Sequence, residues 1–324
     1  MITTPLSAFE SVCMQTLLYC LILCGMAYPD DPPLTSPELF GEGIISTSEY
    51  ELNGAFSPDG LTFYFSKSAP DFSFWTLVES HFKNGKWTKP EILPFSGKYS
   101  DADPFVSPDG KQFFFISDRP IEDTSTASKD LDIWVIDRLP DGWGKPHRLS
   151  SIINSTQAEW FPCVTANGTL YFTALRPESK GSYDIYRSKL VNGFYAEPEN
   201  LGDSVNSRYA EIEAYVPPDE SYIIFCSYNR PNGLGNSDMY ISFNQNGVWT
   251  RARHLDAPIN SSGEDRHMTV TPDGRYLVFT STRNGWETPL EREFTYQDYQ
   301  KKLASIYNGL GNIFQIDMST VLRK

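Results

Sequence analysis

Basic residues are scarce in this chain: Lys and Arg total 27 against 41 Asp and Glu, for a formal net charge of −14. Nucleic acids and anionic lipid surfaces are held by a concentrated positive stripe, and none interrupts this acidic surplus. Nucleic acid is therefore excluded as a partner, and any membrane contact is left to the N-terminus. Cysteine is equally sparse. Three of the five, Cys13, Cys20 and Cys24, fall near the start, while Cys163 and Cys226 sit in separate apolar strand patterns. That distribution predicts two buried free thiols rather than a disulfide framework or a paired-thiol metal site. No nucleophile elbow, zinc-binding helix, phosphate-cradling loop or calcium loop occurs, so no cofactor is expected.

Long apolar runs are missing as well, with one exception. From Met14 the chain reads MQTLLYCLILCGMA, short for a membrane-spanning helix and ending in small residues at Gly25 and Ala27, as export signals do. No positive charge precedes it. Residues 1–27 read as an export signal with a mature N-terminus near Tyr28, or as a retained anchor; a lipidated Cys24 is a further alternative, opposed by Leu23. The expected location is extracytoplasmic, periplasmic or secreted, with residues 28–37 as a linker.

What the chain does have is aromatic residues, 14% of the total, and an internal repeat. The copies read NGAFSPDGLTFYFSKS from Asn53, DPFVSPDGKQFFFISDRP from Asp103, FPCVTANGTLYFTALRP from Phe161, EAYVPPDESYIIFCSYNRP from Glu213 and HMTVTPDGRYLVFTSTR from His267. Their turn residues Asp59, Asp109, Asn167, Asp219 and Asp273 are spaced by 50, 58, 52 and 54 positions, the length of a four-stranded propeller blade. Within each copy, one strand leads into a tight turn where Pro presets φ, Asp bonds the next amides and Gly takes positive φ. A second strand follows, then a third (DIWVID, YDIYRS, DMYISF, NIFQID), then an Asn-Gly or Asp-Gly hairpin and a fourth strand.

The fifth copy lacks its fourth strand, and ELFGEGIIS at 38–46 precedes the first copy where a fourth strand belongs. The expected fold is an all-β, five-bladed propeller spanning 38–324, closed by that N-terminal strand pairing with the C-terminal blade and leaving no open sheet edge. A monomer is expected. Asn154, Asn167 and Asn260 stand in glycosylation sequons.

The repeated SPDG, the S-x-R ending of the second strand and the D-I-Y third strand resemble the TolB-like family of WD-like propeller repeats, over about residues 38–320. The resemblance implies the fold. It implies little about function, because such repeats occur in translocation proteins, peptidase propeller domains and other exported proteins.

Eight positions before each turn residue stands an acid: Glu51, Asp101, Glu159, Glu211 and Asp265. These are expected near the central axis, on the face carrying the linkers between blades. Arg119, Arg176, Arg230 and Arg283 close the second strands on that face, so each Arg is expected to fork a carboxylate of its own or the next blade. The first copy has Lys67 where Arg belongs. An acid left without a guanidinium there is a candidate calcium ligand, the one cofactor alternative. Beside this ring, Asp103, Trp160, Phe161, Glu213, Arg266 and His267 differ in chemistry from blade to blade, which makes them candidates for ligand selectivity.

One segment breaks the repeat, 286–311. Thr288, Pro289 and Glu291 predict the start of a helix whose Leu290, Phe294, Leu303 and Ile306 can cover strand ends or the channel mouth. The expected function is a noncatalytic exported binding module for a protein or glycan. The alternative is a carbohydrate-active hydrolase or lyase working through paired carboxylates.

Overall fold

The computed structural model describes residues 32–121, 130–283, 285–286, 290 and 292–323. The leader at 1–27 and the helix start at Thr288, Pro289 and Glu291 lie outside them.

Five antiparallel blades form a propeller. The inner strands are Tyr50–Phe56, Asp101–Val106, Glu159–Val164, Ala210–Tyr215 and Asp265–Val270. Each meets its second strand across a tight turn, Pro-Asp-Gly in blades 1, 2 and 5, where Gly60, Gly110 and Gly274 take φ of 71°, 71° and 72°, and Ala-Asn-Gly in blade 3, with Gly168 at 85°. Glu220 holds the equivalent left-handed position at φ 56°, a costly choice for a residue with a Cβ. Its carboxylate accepts from Tyr171 Oη at 3.0 Å in the preceding blade, which offsets the strain.

The second strands carry continuous apolar runs, because both faces of a blade are covered by its neighbours. Phe113, Phe114, Phe115 and Ile116 are all at most 1% exposed. The buried side chains form five clusters, one at each seam between adjacent blades. Cys163 and Cys226 are free and buried; each lies 3.4 Å from a carbonyl of the next blade, Val216 and Asp265. Burial pushes the Cys163 thiol up to about 12, so it stays protonated and inert.

The fourth strand of each blade is two residues long, shorter than the sequence pattern suggests. In blades 1 and 2 a separate short piece (Lys86–Trp87, Gly142–Trp143) pairs with the third strand before the chain kinks at Pro90 or Pro146 and pairs again. Proline cannot donate to a ladder, which suits these two breaks, although blade 4 splits in the same way between Val248–Trp249 and Arg253–His254 without a proline. In blade 5 this outer strand is Glu38–Leu39, in register with Gln315 and Phe314 of the third strand Asn312–Asp317. The rest of 38–46 turns back, and Ser46 Oγ donates to the Ile313 carbonyl at 2.8 Å.

Among the described residues there are two helices, α1 (Tyr296–Leu303) and α2 (Met318–Val321). The helix expected in the insertion is capped by Thr295 and Asp298. None of Leu290, Phe294, Leu303 and Ile306 covers the axial cavity described below; Trp286 packs instead on Phe294 and Tyr299.

Closure rests on more than backbone pairing. Phe40 is 7% exposed and sits with its ring centroid 5.0 Å from Phe63 and 5.6 Å from Trp87, filling the seam between blades 5 and 1. Replacing Phe40 with Ala should cost roughly 3–5 kcal/mol in equilibrium denaturation. Removing residues through Ser46 should abolish the cooperative transition instead of shortening it, since Ile45 and the Ser46 clasp go with it.

Candidate functional site

Glu51, Asp101, Glu159, Glu211 and Asp265 lie at the heads of the inner strands, and all are fully buried. They do not line the axis, where the repeat pattern places them. Each instead lies beneath its linker. Glu51, Glu159, Glu211 and Asp265 accept the backbone N–H four residues earlier, at Thr47, Ser155, Ser207 and Ser261. Asp101 accepts from Ser96 Oγ at 2.8 Å.

Arginine completes three of these clamps within its own blade: Arg119 on Asp101, Arg230 on Glu211 and Arg283 on Asp265, each at 2.7 Å. The same guanidinium groups donate to linker carbonyls at Phe95, Val205 and Ile259, so one side chain ties the incoming linker to the inner strand. In blade 1, Lys67 supplies the cation at 3.0 Å, and Glu51 does not stand alone. Asparagine assists on the other side of the linker. Asn154, Asn206 and Asn260 each bond both polar backbone groups of a third-strand residue, Ile133, Ile185 and Met239. Asn154 and Asn260 are 1% exposed, so the folded protein has no room for a glycan on either side chain.

Blade 3 is the exception. Arg176 donates to the Ile152 and Ile153 carbonyls but makes no hydrogen bond to Glu159, whose Oε1 has no partner. Burial pushes the Glu159 carboxyl up to about 7.

Two residues beyond each clamp, every inner strand slips register, and the slipped residue has positive φ: Asn53 (44°), Asp103 (54°), Phe161 (54°), Glu213 (61°) and His267 (54°). This repeated bulge is a strained conformation for side chains of this size, and it directs all five residues to the lining of the axial cavity. A bulge also frees a backbone N–H. Asp103 Oδ2 accepts the one from Phe161 at 3.1 Å, and Glu213 Oε2 the one from His267 at 2.6 Å, each carboxylate serving the next blade. Asn53 bonds Asp103 Oδ1, Glu213 Oε1 lies 3.1 Å from His267 Nε2, and the Phe161 and His267 rings stand 5.5 Å apart.

The two carboxyls are driven in opposite directions. Burial raises Asp103 well above the ordinary carboxylate range, reinforced by the negative charge of Glu213. Burial also works on Glu213, but the facing His267 and Arg266 outweigh it and hold that carboxyl below its ordinary value.

Above this ring opens a cavity of about 250 Å³. Its walls are Phe72, Trp75, Trp160, Phe161 and Tyr228, with Trp75 and Trp160 meeting edge to face at 6.4 Å. Arg266 reaches Tyr228 Oη at 3.0 Å, Tyr50 Oη at 2.8 Å and Glu264 at 3.0 Å. The six residues singled out for selectivity all line this cavity, at two adjacent registers: Asp103, Phe161, Glu213 and His267 in the bulge, Trp160 and Arg266 just before it. Phe72, Trp75 and Tyr228, from other strands and loops, carried no repeat signal. Among the described residues, no group of three or more His, Cys, Asp or Glu side chains is arranged to hold a metal ion.

No protein-family model matches the chain, and no curated protein does. Solved structures share its architecture at low identity. TolB from Acinetobacter baumannii is 17% identical over 83% of this chain and 54% of its own, with a TM-score of 0.48. A putative TolB from Agrobacterium tumefaciens is 14% identical over 89% and 99%, TM-score 0.49. An α-L-arabinofuranosidase from Lactobacillus brevis is 13% identical over 86% and 93%, TM-score 0.50. This chain thus spans about half the length of the first of them, and the likeness is one of fold.

Two predictions follow from the clamps. Arg119→Ala should strand a buried Asp101 and cost on the order of 3 kcal/mol in denaturant melts. Glu159 has no such cation to lose, and a carboxyl whose pKa is raised on folding binds its proton more tightly in the native state. Its contribution is complete below the unfolded value of about 4.5 and lost as pH rises through about 7. Thermal melts should show a fall in stability on the order of 2–3 kcal/mol across that window, absent in Glu159→Gln.

Proposed function

We propose that this chain is a noncatalytic binding propeller whose linker-face cavity takes a sugar residue of a glycan. The observation that carries this reading is the cavity itself: aromatic walls over a floor of fixed polar groups. A pyranose or furanose ring has the matching character, with apolar C–H faces that pack on indole and phenyl rings and a rim of hydroxyls. Its size suits one ring, not a folded protein surface. Asp103 and Glu213 already cap bulge N–H groups and hold Asn53 and His267, which ties both oxygens of each carboxyl to the scaffold.

A second reading, glycoside hydrolysis, has one observation in its favour. Two carboxyls in one cavity with pKa values pushed apart are the arrangement an acid and a base require.

The test is titration calorimetry of the full chain against a panel of neutral methyl glycosides and short oligosaccharides. Binding is expected, weakened at least tenfold, about 1.4 kcal/mol, in Trp160→Ala with the melting temperature retained. Release of product from aryl glycosides by the purified protein, abolished in Asp103→Asn, would replace binding by hydrolysis. Absence of any saccharide binding would refute the glycan assignment.

A further inference from the structure

Among the described residues, two residues that line the cavity each hold a buried polar atom with no partner in the protein: His267 at Nδ1 and Arg266 at Nε. They belong to consecutive residues and are of opposite kind. Glu213 Oε1, 3.1 Å from His267 Nε2, can only accept, so the imidazole carries its proton on Nε2 and presents a bare lone pair at Nδ1. Burial lowers the basicity of His267 against the opposing pull of Glu213, which keeps that lone pair free at neutral pH. The charged groups facing the ring are Glu213, Arg266 and Glu264. Arg266 has the complementary vacancy. Its terminal nitrogens are engaged by Tyr228, Tyr50 and Glu264, while Nε has no partner at all. The His267 side chain is 6% exposed and that of Arg266 12%, so bulk water is a poor substitute for a partner at either atom.

We propose that His267 Nδ1 and Arg266 Nε form the recognition pair of this cavity, an acceptor and a donor that together select an uncharged sugar through its hydroxyl groups. The proposal rests on the glycan reading of the cavity and narrows it. A hydroxyl can donate to Nδ1 and accept from Nε–H, either singly or as a vicinal pair. A carboxylate has no hydrogen for Nδ1 and meets the negative charges of Glu213 and Glu264. An ammonium group can supply Nδ1 but cannot accept from Arg266. Uronic acids and amino sugars are therefore disfavoured, and neutral hexoses and pentoses preferred.

The experiment is imidazole ¹⁵N NMR on the full chain, with His267→Gln used to assign the ring. The free protein at neutral pH should show His267 protonated at Nε2 and bare at Nδ1, a preference lost in Glu213→Gln. Methyl glycosides of glucose, galactose, xylose and arabinose serve as neutral probes, and glucuronate as the charged one. A bound neutral glycoside should shift the Nδ1 resonance. Arg266→Lys, which keeps the charge but removes Nε–H, should weaken it at least fivefold, and glucuronate should bind at least tenfold more weakly. Three results overturn the pair while leaving the glycan reading intact: an Nδ1–H tautomer, a glycoside that binds in a Trp160-dependent way without moving Nδ1, or glucuronate binding equally well. If no probe binds the wild-type protein, both fall together.

Discussion

A buried carboxylate at the head of each inner strand is the constraint on which the rest of this propeller depends. Each stands where strand, linker and second strand meet, and it takes hydrogen bonds from the linker and, in every blade but the third, a cation from the same blade. Stranding such a group without partners is costly, so the linker is held to one path. With the strand head fixed, the bulge two residues later always points its side chain at the axis. The acidic ring is thus a scaffold, and the residues that meet solvent in the cavity are positioned by it.

The division explains why the two acidic sets differ so much in character. The clamp acids recur because every blade needs one. The bulge residues vary because only their backbone conformation is shared, and Asn, Asp, Phe, Glu and His all take left-handed φ there. Variation at a strained, repeated position is where a symmetric fold acquires an asymmetric site. Blade 3 shows the cost of departing from the pattern: without an Arg on Glu159, one oxygen of its buried carboxyl has no partner and burial pushes that carboxyl up to about 7.

Blade number, turn chemistry and the role of 38–46 in closure were legible in the amino-acid sequence, because each rests on local chemistry repeated at a constant period. Pro-Asp-Gly specifies its turn wherever it occurs, and an uncompleted fifth repeat predicts its own missing strand. That Arg119, Arg230 and Arg283 pair with acids of the repeated ring was legible for the same reason, while the choice of the own blade over the next was left to the structure. Tertiary structure alone decided which acids face the axis: a two-residue offset separates a buried clamp from a cavity wall, and only the register slip of the bulge sets which is which. It alone brought Phe72, Trp75 and Tyr228 to the cavity from unrelated positions, left Arg176 turned away from Glu159, and set the Glu213 carboxylate against His267. The bonds of Arg266 to Tyr228 and Tyr50 and of His267 to Glu213 join residues 38 to 216 positions apart, whose partners are chosen by the packing of neighbouring blades and leave no periodic mark in the chain.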